Sequence, residues 1–175
     1  MIPLSIPNLS GREGEYLQAC IDSGFVSTAG PFVPQFEAQL AEHTASAAVV
    51  STNSGTAGLH LAMHVLGVEH NDLVIMPSIT FIASANAISQ CGATPLIVDV
   101  DPETWLLNAS LVESLLETRT FASERGRIYI ETGQRVSAIM VVYTNGLVPN
   151  MSHFRAIADR FGLKLLADAA AAIGA

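Results

Sequence analysis

The chain has 175 residues, of which 50% are hydrophobic and only 14% are charged, so it can bury a sizeable core. With 8 Lys and Arg residues against 16 Asp and Glu residues, the formal charge is −8 and no basic cluster occurs, which argues against nucleic-acid binding. The low charged fraction also indicates that part of the surface is covered by further chain or by another subunit.

The N-terminus and the cysteines favour a cytoplasmic protein. The N-terminus lacks the positive flank and apolar run of a signal peptide, and no window approaches 18 consecutive apolar residues, so no membrane span is expected. Cys20 and Cys91 lie far apart and form no CxxC pattern, which predicts two buried thiols in a reducing compartment.

The residue pattern in the first third of the chain predicts an irregular arm followed by three helices and one short strand. Of these, the third carries one apolar stripe, formed by Leu59, Ala62, Met63 and Leu66. The predicted helices cover residues 13–22, 31–43 and 56–66, and a short strand covers residues 47–51.

The rest of the chain alternates apolar strands with amphipathic helices. Ser110 and Glu113 form a capping-box pattern, which predicts that a helix begins there and runs to about Thr118. Residues 121–135 fit no period and predict an inserted loop or hairpin. The predicted strands cover residues 73–76, 95–98, 136–143 and 163–167, and the predicted helices cover 81–90 and 152–161.

This alternation predicts an α/β fold with three layers and a mostly parallel sheet. No internal repeat or linker divides the chain. We therefore expect one partial domain over residues 1–175, with an N-terminal arm in residues 1–30 and the sheet-bearing part in residues 31–175.

Small residues join the predicted strand at 47–51 to the helix that follows it. The order there is Ser54-Gly55-Thr56-Ala57-Gly58. Free N–H groups at a helix start favour an anion such as a phosphate, with the Thr56 hydroxyl as a further donor. Small residues are also common at tight strand–helix turns that bind nothing, and the segment matches neither the Walker pattern nor GxGxxG.

Two further residues follow strand ends, where ligands bind in sheets of this kind. Asp168 ends an apolar strand and can hold a protonated ring nitrogen, or else cap the helix that follows. Phe81 lies beyond residues 73–76 and can stack on a flat cofactor, or else belong to the core.

His60 and His64 have the i, i+4 spacing of two metal ligands on a helix. No third ligand is evident and no HExxH pattern is present, so we expect no metal site. No Ser–His–Asp or Cys–His arrangement can be argued from the spacing.

Three segments carry a resemblance to a known family, the DegT/DnrJ/EryC1/StrS aminotransferases. They recur in the family's order and read VVSTNSGTAGLHLAMHVLGV, DLVIMPSITFIASANAISQCGATPLIVDVDPETWLLN and LKLLADAAAAIGA. Residues 2–37 resemble the family too. The inserted segment RGRIYIETGQRVSAI and the N-terminal IPNLSG are most similar to the branch that makes legionaminic acid and related nonulosonic acids.

The resemblance implies the large domain of a fold-type-I enzyme that uses pyridoxal 5'-phosphate or pyridoxamine 5'-phosphate. Gly55, Thr56 and Ala57 would hold the cofactor phosphate, Phe81 would stack on its ring, and Asp168 would pair with its ring nitrogen. The implied reaction moves an amino group, commonly from glutamate, to a nucleotide-linked 4-keto-6-deoxy sugar. The resemblance also implies a two-fold dimer.

The chain departs from the family pattern at several positions. The lysine that forms the Schiff base with the cofactor has no counterpart, because the only lysine, Lys164, precedes Asp168. Ala171 and the segment Tyr143-Thr144-Asn145-Gly146 replace residues that are usual near the cofactor. We therefore expect the N-terminal part of an enzyme that cannot transaminate alone; the alternatives are a non-catalytic binding module and a pyridoxamine-phosphate-dependent sugar dehydrase.

Overall fold

The computed structural model describes residue 3 and residues 6–174. Two compact units occur, one in residues 1–51 and one in residues 52–175. The predicted arm boundary at residue 30 lies inside the first unit and stays a prediction.

Two helices make up the regular structure described in the first unit, as predicted: α1 (Glu13–Ser23) and α2 (Phe32–Thr44). The Tyr16 ring meets the Phe32 ring edge-on, with 5.5 Å between centroids. The Arg12 guanidinium lies 5.1 Å from the Tyr16 ring centroid. Since no residue of α1 is buried, these aromatic and cation–π contacts are part of what holds α1 in place.

The strand predicted over residues 47–51 is wrong, because none of the described strands pairs with that segment. An apolar extended segment becomes a strand only when a second strand takes its backbone hydrogen bonds. Instead, the Ser51 N–H and hydroxyl both donate to Glu37 Oε1 at 2.8 Å. These two hydrogen bonds hold the pKa of Glu37 below its usual value.

Within the described part of residues 52–175, six strands form one sheet in the order β2-β1-β5-β4-β3, with β6 also paired to β5. The pairs β1–β2, β1–β5 and β5–β6 are parallel, which confirms a mostly parallel sheet. For residues 121–135 the sequence predicts either a loop or a hairpin, and the structure shows an antiparallel hairpin, β3–β4. The strands are β1 (Leu73–Pro77), β2 (Thr94–Val98), β3 (Thr120–Ser123), β4 (Gly126–Tyr129), β5 (Arg135–Val142) and β6 (Lys164–Asp168).

Four α-helices accompany this sheet among the described residues, and none of the helices in that part of the chain has the length and apolar character to cross a bilayer. The predicted capping box at Ser110 is wrong. Asn108 caps α5 instead: its Oδ1 accepts the Leu111 N–H at 3.2 Å, so Ser110 already lies inside the helix. The helices are α3 (Gly55–Leu66), α4 (Ile82–Gln90), α5 (Ala109–Thr118) and α6 (Met151–Phe161).

Two apolar clusters lie on opposite faces of the sheet and confirm the three-layer prediction. Alternate residues of β1 separate: Leu73 and Ile75 pack with α5 and α6, whereas Val74 and Met76 pack with α3 and α4. Because both faces of β1 are covered, all five of its residues are buried. This explains why its sequence is continuously apolar rather than alternating.

A buried ion pair joins the amino ends of the two central strands. Asp72 is only 4% exposed. Arg135 donates through Nε to Asp72 Oδ1 at 2.8 Å and through Nη2 to Oδ2 at 2.5 Å, and Nη2 also donates to the Gly67 carbonyl at 3.0 Å. Hydrogen bonding to Asp72 is the main reason why the pKa of Arg135 is raised.

Replacing Asp72 with Asn should lower the free energy of unfolding by about 2–3 kcal/mol, because the half-buried Arg135 charge loses its buried partner and keeps only the exposed Glu69 carboxylate at 3.5 Å. Urea unfolding of the 175-residue chain measures this change. Asp159→Asn is the matched control, since the Arg155–Asp159 pair is exposed and its charged atoms are 3.5 Å apart. The free energy of unfolding of this variant should hardly change. Equal losses in both variants would contradict the role given to the Asp72–Arg135 pair.

Candidate functional site

A cavity of about 840 Å³ opens at the carboxyl edge of the sheet, beyond the ends of β1, β5 and β6. Ligands of open α/β sheets bind at this edge, where strand ends and helix starts meet. The cavity is lined by Ser54, Gly55, Thr56, Leu59, Ile79, Thr80, Phe81, Ala83, Trp105, Val142, Tyr143, Thr144, Asn145, Asp168, Ala170 and Ala171. Four of the five predicted cofactor-binding residues are therefore brought together, and Ala57 is not among the lining residues.

The start of α3 presents free backbone donors to the cavity. Ser54 caps the helix: its Oγ accepts the Ala57 N–H at 3.2 Å, and its carbonyl accepts the Gly58 N–H at 3.0 Å. The N–H groups of Gly55 and Thr56 find no acceptor among the described residues. These two donors, at the positive end of the helix dipole, can bind an anion, whereas the Ala57 donor is already used.

Phe81 immediately precedes α4 and turns an aromatic ring to the cavity. Its backbone is extended, with φ −72° and ψ 140°, and its side chain is 77% exposed. It is therefore not a core residue in this chain. An exposed ring at a cavity wall offers a face on which a flat molecule can stack.

The Asp168 carboxylate is held by a chain of two hydroxyls. Ser84 Oγ donates to Asp168 Oδ2 at 2.7 Å, and Ser84 Oγ also lies 2.8 Å from Thr80 Oγ1. Ser84 is fully buried in the first turn of α4. Sequence reasoning missed Ser84 and Thr80, because the contact joins residues 84 positions apart and no local pattern signals it.

The loop after β5 forms the opposite wall, close to the chain that follows β6. Gly146 has φ +82°, and a Cβ built on it would lie 2.9 Å from the Ala171 carbonyl oxygen, so the approach requires glycine. The Thr144 Oγ1 atom is buried and has no hydrogen-bond partner among the described residues. An unpaired buried hydroxyl beside a cavity is available to a polar ligand.

Trp105 is a second aromatic wall residue that sequence reasoning missed. Its φ of +61° is rare for a bulky residue, and its side chain is 55% exposed. Strained backbone of this kind is concentrated at functional sites. The unusual conformation is invisible in the sequence, since Trp is a poor choice for it.

Lys164 lies at the other end of β6. It pairs with Ala138, whereas Asp168 pairs with Val142 at the carboxyl end. Four residues of strand separate the two positions by about 13 Å. Lys164 is also absent from the cavity lining, so the cavity contains no lysine from the described residues.

Taken together, the cavity offers donors for an anion, an aromatic face, and an oriented carboxylate that suits a cationic nitrogen. Such a set can hold a flat, phosphate-bearing molecule with a basic ring nitrogen.

The comparisons with known proteins agree with one another. The model of the DegT/DnrJ/EryC1/StrS aminotransferase family matches residues 7–175. The chain is 37% identical to GDP-perosamine synthase of Caulobacter vibrioides over 174 residues, which are 99% of this chain and 43% of that protein. The chain thus spans less than half of that relative's length.

Two solved structures are similar in fold and sequence. DesV of S. venezuelae is 33% identical with a TM-score of 0.75, over 92% of this chain and 40% of that one. NtdA of Bacillus subtilis, solved with bound cofactor PMP, is 30% identical with a TM-score of 0.78, over 91% of this chain and 33% of that one. The chain belongs to the DegT/DnrJ/EryC1/StrS aminotransferase family, whose cofactor is pyridoxal phosphate.

Proposed function

We propose that the cavity binds pyridoxal phosphate or pyridoxamine phosphate, and that the protein transfers an amino group to a nucleotide-linked 4-keto-6-deoxy sugar. The observation that carries the proposal is the convergence of the Gly55–Thr56 turn, Phe81 and Asp168 on one cavity, although they are far apart in sequence. The identity to a GDP-perosamine synthase supports a sugar nucleotide as the acceptor.

The residues present fit the cofactor. The free N–H groups of Gly55 and Thr56, with the Thr56 hydroxyl, would hold the phosphate. Phe81 would lie against the ring face, and the Thr144 hydroxyl would be satisfied by a polar atom of the cofactor or substrate. Pyridoxal phosphate, when bound, supplies an electron sink and carries the amino group.

Asp168 would keep the ring nitrogen protonated, because its carboxylate stabilises a positive charge within hydrogen-bond distance. The hydrogen bond from Ser84 fixes the orientation of this carboxylate. Ser84 is thus a positioning residue, which acts through Asp168, and Thr80 supports it through the second hydrogen bond.

The finer assignments rest on the sequence resemblance. The segment at residues 125–139 and the N-terminal IPNLSG support the legionaminic acid branch, with glutamate as amino donor. A two-fold dimer accords with the exposed apolar side chains, among which are Ile97, Ile82 and Phe121 at 63%, 63% and 51% exposure. The cytoplasmic location rests on the N-terminal sequence and the cysteines alone.

The position of Lys164 favours the proposal that this chain does not transaminate by itself. No lysine from the described residues reaches the cavity, and the chain covers only 43% of a perosamine synthase. A sugar dehydrase that uses pyridoxamine phosphate and a non-catalytic binding module would keep the same cavity without a lysine.

Asp168→Asn should weaken the binding of pyridoxamine phosphate to the 175-residue chain by roughly 10- to 100-fold, because a charge-assisted hydrogen bond to the ring nitrogen is lost. Trp105 is the only tryptophan and lines the cavity, so quenching of its fluorescence reports binding. Asp159→Asn is the control and should bind like the unaltered chain. Equal affinities for all three would refute the cofactor assignment.

Asp168→Asn also tests the proposed reaction, in a protein that contains these 175 residues and has the full length of the relatives. With glutamate and a GDP-linked 4-keto-6-deoxy sugar, mass spectrometry should detect the amino sugar, and Asp168→Asn should abolish most of it. Formation of a deoxygenated sugar without nitrogen would instead identify the dehydrase.

Ser84→Ala should weaken pyridoxamine phosphate binding by about 2- to 10-fold, less than Asp168→Asn, because the carboxylate stays in place but loses the hydrogen bond that orients it. Ser84→Thr keeps the hydroxyl and should restore most of the affinity. The pH at which the bound ring nitrogen loses its proton, followed by absorbance, should fall in Ser84→Ala and recover in Ser84→Thr. An unchanged titration would show that Ser84 only fills space.

Pyridoxal phosphate mixed with the 175-residue chain should give no stoichiometric adduct that borohydride fixes on Lys164. The backbone of Lys164 lies about 13 Å along the strand from that of Asp168, so its amine is poorly placed to reach the cavity. Peptide mass spectrometry after reduction measures this, and Lys164→Arg should leave the spectrum unchanged. One equivalent fixed on Lys164, with turnover of glutamate, would overturn the prediction.

A further inference from the structure

A cluster of metal-binding side chains lies outside the cavity. His60 and His64 lie on α3, and Cys91 directly follows α4. One ligand atom from each of the three residues lies within 4.8 Å of the others. The His60 and His64 Nε2 atoms are 3.1 Å apart.

The sequence provides only the histidine pair, and for that reason predicts no metal site. The packing of α3 against α4 supplies the third donor, since it brings the Cys91 thiol within 4.0 Å of the His60 carbonyl oxygen. Three donors from two helices are a more specific arrangement than a histidine pair on one helix.

The donor set is that of zinc. Two imidazole nitrogens and one sulfur are ligands that Zn²⁺ prefers, and tetrahedral bonds of about 2.0–2.3 Å place ligand atoms about 3.3–3.8 Å apart. The two Nε2 atoms, 3.1 Å apart, are close to the lower value, whereas the separations in the cluster extend up to 4.8 Å, about 1 Å beyond the upper value. His64 is exposed, so its ring can rotate to close the gap and leave a fourth position open to water.

Without a metal, the two imidazoles hydrogen-bond to each other, and the cysteine thiol is the weakly bonded member of the cluster. Cys91 is 8% exposed, and its sulfur has only a long contact with a carbonyl oxygen. A divalent cation binds the thiolate form and so replaces the thiol proton.

We propose that His60, His64 and Cys91 bind one Zn²⁺ ion, with water as the fourth ligand. The ion joins the second half of α3 to the end of α4. The first residues of these helices include Gly55, Thr56 and Ser84, which border or support the cavity. Zinc therefore stabilises the packing of the two helices without taking part in the reaction, and the proposal is independent of the proposed function.

The test titrates the reduced 175-residue chain with Zn²⁺, and with Co²⁺ as an optical probe. One equivalent of Zn²⁺ should bind and raise the melting temperature by several degrees, because the ion binds only the folded state. Co²⁺ should produce a near-ultraviolet thiolate charge-transfer band. Cys91→Ser should abolish this band, and both Cys91→Ser and His64→Gln should weaken Zn²⁺ binding at least tenfold.

His64→Gln alters an exposed side chain, so its effect does not depend on refolding a buried site. Cys20→Ser and His153→Gln are the matched controls and should bind Zn²⁺ like the unaltered chain. A charge-transfer band that survives Cys91→Ser, or Zn²⁺ affinity that is the same in His64→Gln and His153→Gln, would overturn the proposal.

Discussion

The parallel pairing of β1, β5 and β6 is the constraint on which the rest of this structure depends. It places the carboxyl ends of all three strands at one edge of the sheet, so that Phe81, Thr144 and Asp168 meet around one cavity. The pairing is stable because β1 and β5 are covered by apolar side chains on both faces. The Asp72–Arg135 pair joins the opposite, amino ends of β1 and β5.

Electrostatic polarity within the cavity follows from this arrangement. One wall is the start of α3, whose unpaired Gly55 and Thr56 N–H groups carry partial positive charge. Another wall holds the Asp168 carboxylate, anchored by Ser84. A ligand that is anionic at one end and cationic at the other would therefore be oriented as well as bound, as the proposed function requires.

The α3–α4 pair has a role in both proposals. The N-terminal ends of these helices face the cavity, whereas His60, His64 and Cys91 lie away from it. The proposed function places ligand-binding groups in the first turns of these helices, and a shift of about 1 Å in such a group would cost much of its effect. The apolar contacts of Leu59, Met63 and Ile88 maintain that separation in the protein alone.

The sequence by itself determined the α/β class, nearly all the helices and strands, and the family. It also singled out Gly55, Thr56, Phe81 and Asp168, which the structure brings to one cavity. Apolar periodicity and ordered motifs are local patterns, so they can be recognised in the sequence without knowing the fold. Only the tertiary structure decided that residues 47–51 form no strand, that Asn108 caps α5, and that Ser54 already uses the Ala57 donor. Only folding reveals the partners Ser84 and Cys91, because a hydrogen bond or a ligand set joins atoms that are distant along the chain and leaves no periodic trace in it.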